Sequence, residues 1–246
     1  MMANIQEMAP GAPGIPARWT SSAKSGVGTA LSPACEVWFT ISHGILNEVY
    51  YPRVDMACTR DLGLVVIGEN GAFSEEKRHT DHWIEPFEDG VPAYRLVNTA
   101  CDGSYRIEKR IAADPVRPAV LQETTFTPIS GALQDYRVHA LLAPHLVNAG
   151  MGNTGWVGEY KGSPMLFASG SGGMSLALAS SAPWRARSAG YVGVSDGWQQ
   201  LRRSGRLDPE YNRAENGNVA LTGEIGFSVE NGGRTLLALG FGPSPE

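Results

Sequence analysis

The stretch YRIEKRI, residues 105–111, decides the fold class of this chain. Its odd-numbered positions put a tyrosine, two isoleucines and Lys109 on one side, and its even-numbered positions put two arginines and a glutamate on the other. Successive residues of a β-strand point to opposite faces of a sheet, so a period of two is typical of a strand. The stretch therefore predicts a half-buried strand whose charged side faces water.

The same strand character recurs along the chain, separated by turn dipeptides. Apolar or alternating segments lie at 64–67, 120–126, 136–142, 218–227 and 234–241. Asparagine or aspartate followed by glycine, which favours tight turns, occurs at 70–71, 89–90, 102–103, 216–217 and 231–232. The 30 glycines and 16 prolines also favour many turns between short strands. We predict an all-β chain, in which so many strands must stack as a sandwich or close as a barrel.

The alternation continues without a break, which indicates one domain. We expect residues 1–30 to form an extended lead-in, since three prolines there oppose a helix. Residues 31–242 are expected to form the single β domain, and 243–246 the start of a linker. The only predicted helical turn is Asp196–Arg203, capped by its first residue or by the serine before it.

Composition excludes several classes of function. A net charge of −5 provides no basic field for the phosphates of nucleic acid. No apolar run predicts a signal peptide or a membrane span, so the expected location is the cytoplasm, or the periplasm or exterior if a leader was removed. Cys35, Cys58 and Cys101 are widely spaced and odd in number, so we expect small buried thiols and no disulfide framework.

The segment from Glu36 to Gly68 is the most unusual in composition. It combines aromatic residues, among them Tyr50 and Tyr51, with the charged residues Glu48, Asp55, Arg60 and Asp61. Aromatic rings stack on the apolar faces of sugars, while charged groups bond to their hydroxyls. The pattern is therefore compatible with carbohydrate binding. It is equally compatible with a β-rich core element whose Arg60 and Asp61 fix a loop.

Two further chemistries are weaker. His79, Asp81 and His82 could suggest a metal, but zinc sites usually have more ligands, and a polar surface loop is the better interpretation. Glycoside hydrolysis needs two carboxylates flanking the bond, and spacing alone assigns no such pair. The sequence has no phosphate-binding glycine loop, nucleophile elbow or HExxH motif, so we predict neither a cofactor nor a metal.

Several motifs carry a family resemblance over nearly the whole chain after about residue 15. They are VWFT at 37–40, EVYYPRVD at 48–55, RDLG at 60–63, SDGWQQL at 195–201 and YNRAENGNVALTGEI at 211–225. These motifs resemble the N-terminal domain of bacterial glucoamylases and glucodextranases of glycoside hydrolase family 15. The resemblance implies a galactose mutarotase-like super-β-sandwich of two large, mostly antiparallel sheets.

In that family the sandwich precedes an (α/α)-barrel that bears the catalytic glutamates of an inverting hydrolase. The barrel has no counterpart in this chain, so no catalytic residue is assigned. The resemblance implies the chain's own catalytic barrel and an α-glucan or maltooligosaccharide as partners. Candidates for carbohydrate or domain contact are His43, Glu48, Tyr50, Tyr51, Asp55, Arg60, Asp61 and Trp198.

Three functions remain open from the sequence. The first is an accessory domain that packs on the barrel and shapes the rim of its glucan site. The second is an independent carbohydrate-binding module. The third is a sugar epimerase, which would need His43 to converge with Glu48 or Asp55 in one pocket; fold analogy alone does not establish it.

Overall fold

The computed structural model describes residues 4–170 and 172–244 and consists mainly of β-strands. The strands are β1 Ile5–Met8, β2 Gly26–Thr29, β3 Trp38–Ser42, β4 Ile45–Tyr50, β5 Thr59–Ile67, β6 Phe73–Glu75, β7 Thr80–Glu88, β8 Val91–Ala100, β9 Tyr105–Ala113, β10 Ala119–Pro128, β11 Arg137–Pro144, β12 Asn153–Tyr160, β13 Ser163–Gly170, β14 Ser175–Ser180, β15 Trp184–Tyr191, β16 Glu210–Gly217, β17 Val219–Ile225 and β18 Arg234–Gly242. Two α-helices, α1 Glu76–His79 and α2 Gly197–Ser204, join them.

The strands form two large sheets. The ten-stranded sheet has the order β1-β16-β12-β13-β14-β18-β10-β9-β8-β7. The eight-stranded sheet has the order β15-β17-β11-β5-β4-β3-β2, with β6 pairing β5. All described pairs are antiparallel except β1 with β16. The prediction of an all-β super-β-sandwich with two mostly antiparallel sheets is confirmed.

One continuous apolar core fills the space between the sheets. β9 places Tyr105, Ile107 and Ile111 in this core, each at most 1% exposed, as its alternation predicts. Lys109, on the same inward face, is also buried. The facing sheet contributes residues such as Phe39 from β3. Local alternation thus decides which side of each strand faces the core.

The predicted turn dipeptides coincide with chain reversals. Asn70 (φ +64°) and Gly71 (φ +78°) lie in the left-handed region between β5 and β6. Gly90 and Gly103 take the same conformation between β7, β8 and β9. Asparagine and glycine tolerate positive φ better than other residues, so these turns are encoded locally.

The helices show one prediction confirmed and one element missed. α2 forms at the predicted segment and ends one residue later, at Ser204; its N-cap is Asp196, whose carboxylate accepts a 3.0 Å hydrogen bond from the Gln199 amide. α1 was not predicted, because a four-residue helix is too short to show a helical period. Neither described helix has the length and apolar run needed to cross a bilayer.

Other expectations need correction or refinement. Cys35 and Cys58 are buried thiols as expected, but Cys101 is exposed because it lies in the turn after β8. Asp81 and His82 belong to the strand β7 and not to a surface loop. Within the lead-in, β1 and β2 pair with the two sheets. Residues 1–3 and 245–246, at the ends of the lead-in and the linker, lie outside the described residues.

Candidate functional site

His43, the first of the predicted site residues, lies in a tight turn. His43 (φ +51°) and Gly44 (φ +70°) form the turn between β3 and β4. A Cβ at Gly44 would lie 2.3 Å from Asn98 Oδ1, so only glycine fits there. His43 Nδ1 lies 3.0 Å from Ser42 Oγ, and its ring centroid is 6.2 Å from that of His82. His43 is therefore a turn residue next to the edge strand β7.

Glu48 has structural partners on its own sheet. It forms an ion pair with Lys24 of the lead-in, and it accepts a 3.0 Å hydrogen bond from Thr40 Oγ1. Only 7% of the residue is exposed. The carboxylate is thus engaged in holding the lead-in against β3 and β4.

The two tyrosines mark the end of regular pairing, as the adjacent proline predicts. β4 ends at Tyr50, and β5 does not begin until Thr59. Both tyrosines are half-buried. Tyr51 stacks on Phe241 of β18 with ring centroids 5.9 Å apart. Burial, followed by the charge of Glu48, raises the pKa of the Tyr50 hydroxyl.

Asp55 lies at the exposed tip of the loop after β4. Arg53 donates two hydrogen bonds to it, Nε to Oδ1 at 2.9 Å and Nη2 to Oδ2 at 2.7 Å. The hydrogen bond from Arg53 holds the pKa of the Asp55 carboxyl below its ordinary value. Asp55 therefore pairs with Arg53 at the loop tip, whereas Glu48 pairs with Lys24 of the lead-in.

Asp61 is the centre of a different, half-buried cluster. It accepts a 2.9 Å hydrogen bond from Asn47 Nδ2, and both its oxygens lie 3.3 Å from Lys77 Nζ. Arg60 Nε lies 3.3 Å from Asp61 Oδ2, so these two neighbours form a local ion pair near the start of β5. Lys77 comes from α1, so the cluster ties α1 to β5.

Arg60 and Asp61 open onto a cleft of about 240 Å³ on the outer face of the eight-stranded sheet. Its floor consists of apolar side chains, several of them small, and its walls are mostly charged side chains. The floor residues include Ile45, Gly63, Val65, Leu141, Ala143 and Ala220, and the wall residues include Arg60, Asp61, Glu75, Lys77, Arg78 and Trp198. Small residues at neighbouring positions of β5, β11 and β17 leave the space that the cleft occupies. We call this feature the Trp198 cleft.

Trp198 closes one side of the cleft from α2. Its Nε1 donates a 2.9 Å hydrogen bond to Glu75 Oε2. The Phe73 ring meets it edge-on at 5.6 Å, and the Arg202 guanidinium lies 5.2 Å from the ring centroid. Behind it, Leu201 and Ile67 form a small second core that attaches α2 to the sheet. The ring is thus held in a fixed orientation.

The structure brings together three of the eight predicted site residues, Arg60, Asp61 and Trp198, in the cleft. His43, Glu48, Tyr50, Tyr51 and Asp55 lie outside its lining. The cleft also uses Glu75, Lys77 and Arg78, which the sequence analysis did not select. The charged run EEKRH at 75–79 was their only signal, and nothing in it indicates where α1 packs.

A buried histidine borders this region. His145 is 1% exposed and meets the ring of Trp19 edge-on at 4.7 Å. Burial, followed by the charge of Arg60, lowers the pKa of His145 to about 4. The side chain is therefore neutral near pH 7. Among the described residues, no group of three or more histidine, cysteine or acidic side chains is arranged to hold a metal ion.

The comparisons with known proteins first define a class. The crystal structure of a bacterial glucoamylase complexed with acarbose has a TM-score of 0.93 and 31% identity, over 98% of this chain and 35% of that one. A family 92 glycosyl hydrolase shares the fold alone, with a TM-score of 0.52 and 10% identity over 89% of this chain and 30% of its own. The fold is thus a super-β-sandwich of the kind found in glycoside hydrolases.

The particular family follows from the sequence match. The model for domain N of glucodextranase matches residues 9–246, and the chain belongs to that family. A glucoamylase from Clostridium sp. (strain G0005) is 32% identical over 234 residues, which are 95% of this chain and 33% of that protein. The chain therefore spans about a third of the length of the curated relative it matches.

Proposed function

We propose that this chain is the non-catalytic N-terminal domain of a glucoamylase-type hydrolase acting on α-glucans, and that it packs on the catalytic (α/α)-barrel and shapes its rim. The observation that carries the proposal is the match to domain N of glucodextranase over residues 9–246, in a chain that covers 33% of a glucoamylase. The remaining two-thirds of that glucoamylase have no counterpart in this chain, which is compatible with a separate catalytic domain.

The Trp198 cleft supports the placement of the barrel. An apolar floor can receive an apolar side chain of another domain, while the charged rim fixes its orientation. Ile15, Trp19 and Val194 add exposed apolar surface, each more than 40% exposed, and Ile15 lines the cleft itself. Asp61 and Glu75 already have cationic or indole partners, and Asp196 accepts hydrogen bonds from backbone amides, which suits a docking surface better than acid–base chemistry.

Charge reversal at the cleft tests the docking. In the full-length enzyme, Arg78→Glu changes a side chain that is 64% exposed and lines the cleft. The expected result is a lower thermal midpoint for the barrel and a raised KM, since the rim loses its support. Lys161→Glu, at the exposed β12–β13 hairpin, is the matched control and should leave both unchanged. Equal behaviour of the two variants would contradict the docking.

The loop between β4 and β5, which contains Tyr51, tests the contribution to the rim. Tyr51→Ala in the full-length enzyme is expected to raise KM or lower kcat at near-normal stability. Lost stability with unchanged kinetic constants would show that Tyr51 only packs on Phe241.

The non-catalytic role is tested separately. The chain by itself should release no glucose from maltose or dextran. Release at an enzymatic rate that Glu48→Gln abolishes would contradict the non-catalytic role.

A further inference from the structure

The outer face of the ten-stranded sheet carries two exposed aromatic rings on its edge strand. Trp83 is 64% exposed and Phe87 is 53% exposed, both on β7. Phe87 meets the outward-facing Arg110, with 5.6 Å between the guanidinium and the ring centroid, so its ring lies on the outer face of the sheet. Two exposed aromatic rings on one sheet face mark a candidate binding surface, which a single ring would not.

Cross-strand rows of polar side chains fill the space between the two rings. Glu85 lies opposite Arg95, which lies opposite Arg110. Arg95 bonds to Glu85 at 2.9 Å and to Glu108 at 3.1 Å, so one guanidinium spans two carboxylates. These bonds hold the hydrogen-bonding groups in fixed positions on a rigid sheet. We call this surface, from Trp83 to Phe87 and across β8 to β10, the Trp83 face.

The charges of the Trp83 face balance. Within this face stand three acidic side chains, Glu85, Glu108 and Glu123, and three arginines, Arg95, Arg106 and Arg110. A surface without net charge gives no electrostatic attraction for phosphate polymers or acidic sugars. Aspartate and glutamate are depleted in protein–protein interfaces, whereas this face carries three glutamates. The complementary ligand is neutral and rich in hydroxyl groups.

We propose that the Trp83 face binds a neutral glucan chain. Trp83 and Phe87 would stack on sugar rings, and the arginines and carboxylates between them would bond to hydroxyls. Four residues of a strand separate the rings by about 13 Å, so the ligand is an oligosaccharide of several units and not a monosaccharide. The Trp83 face belongs to the ten-stranded sheet and the Trp198 cleft to the eight-stranded sheet. The site is therefore separate from the docking proposed above, while the choice of a glucan among neutral sugars rests on the proposed function.

Affinity electrophoresis of the 246-residue chain tests the proposal. Native gels containing glycogen should retard the chain, and titration with maltoheptaose, followed by tryptophan fluorescence, should give a saturable change. Trp83→Ala and Phe87→Ala are each expected to weaken binding about fivefold or more. Tyr160→Ala removes another exposed aromatic ring, in the β12–β13 hairpin, and should bind as the native chain does. Circular dichroism checks that each variant retains its β spectrum.

Five outcomes would overturn the proposal. The native chain could fail to bind glycogen and maltoheptaose. The Trp83→Ala variant could bind them as well as the native chain does. Binding could be lost in Trp198→Ala instead, which would place the sugar in the cleft. Retardation only by a sulfated dextran would show an ion-exchange surface. Self-association of the native chain that Trp83→Ala abolishes, without glucan binding, would show that a second copy covers the face.

Discussion

Two ion pairs of the sandwich have similar geometry and opposite surroundings. Lys109 Nζ and Glu76 Oε1 are 2.7 Å apart with both side chains fully buried. Arg53 Nη2 and Asp55 Oδ2 are also 2.7 Å apart, but their side chains are 69% and 61% exposed. The distance between the charged atoms therefore does not indicate how much an ion pair contributes to the free energy of unfolding. Water around the second pair competes for each partner, whereas no water is available to the first.

The buried pair also joins the two sheets. Glu76 belongs to α1, where the chain crosses from the eight-stranded to the ten-stranded sheet. Its carboxylate accepts a 3.0 Å hydrogen bond from the amide of Leu64 on β5 and another from Asn98 on β8, and it forms the ion pair with Lys109 on β9. Burial lowers the pKa of Lys109, and the carboxylate of Glu76 opposes that shift.

The largest expected effect comes from breaking this pair. Glu76→Ala leaves the Lys109 ammonium buried without a counter-charge and removes the acceptor of the Leu64 amide. A loss of about 3–5 kcal/mol in the free energy of unfolding is expected, measured by urea denaturation. A cost below about 1 kcal/mol would show that Lys109 escapes to water or loses its proton easily.

The double variant Glu76→Gln with Lys109→Met is the control for this interpretation. The glutamine can still accept from the Leu64 amide, and no charge remains in the core. The double variant is expected to be more stable than either single variant, a coupling that a double-mutant cycle measures. Additive effects would mean that the two charges do not depend on each other.

The inward position of Lys109 could be predicted, but its partner could not. Alternation in residues 105–111 places every second side chain inside, and the structure confirms it. Glu76, 33 positions earlier, has no local feature that marks it as buried. Local periodicity therefore predicts the strands and the sandwich, while the pairing of charges inside it depends on how distant strands stack.

The same division applies to the Trp198 cleft. Its residues Asp61 and Trp198 stand in motifs that the sequence analysis selected, yet no pattern indicated that they meet. The meeting depends on α2 packing against Ile67 and on the small residues Ala143 and Ala220 in the floor. Those are tertiary facts, and a chain with larger side chains at these positions would show the same motifs without a cleft.

A medium effect is expected from the buried histidine as pH falls. The folded pKa of His145 is about 4, below its ordinary 6.5. Its neutral form therefore gives full stability above pH 6.5, and stability is lost as pH falls from 6.5 towards 4, because the unfolded chain takes up the proton first. When the pH falls from 7.5 to 5, the titration of this residue should lower the free energy of unfolding by about 2 kcal/mol.

His145→Gln separates this contribution from the titration of acidic groups. Urea denaturation at pH 7.5 and pH 5 should show a smaller pH dependence in the variant, by about the same 2 kcal/mol. An unchanged pH dependence would mean that His145 is protonated in the folded chain and that Asp61 or water supports its charge.

A smaller effect is expected from the pair of intermediate burial. Lys24 and Glu48 have side chains 20% and 10% exposed. Glu48→Gln keeps an acceptor for the Thr40 hydroxyl and removes only the charge, so about 1 kcal/mol should be lost in urea denaturation. Glu48→Gln should also become less different from the native chain at 1 M salt. A loss as large as that of Glu76→Ala would break the ranking by burial.

The smallest effect is expected where the geometry looks strongest. Arg53 donates two well-formed hydrogen bonds to Asp55 and lowers its pKa. Arg53→Ala should nevertheless leave the urea midpoint unchanged at pH 7, because both groups are hydrated without the pair. Residues two apart can also meet in the unfolded chain, so the pKa of Asp55 is lowered in both states and adds no net stability. NMR titration should show the Asp55 pKa rising in the variant while stability stays constant. A matching loss of stability would mean that the loop after β4 is ordered by this pair, and exposure would no longer rank the ion pairs of the sandwich.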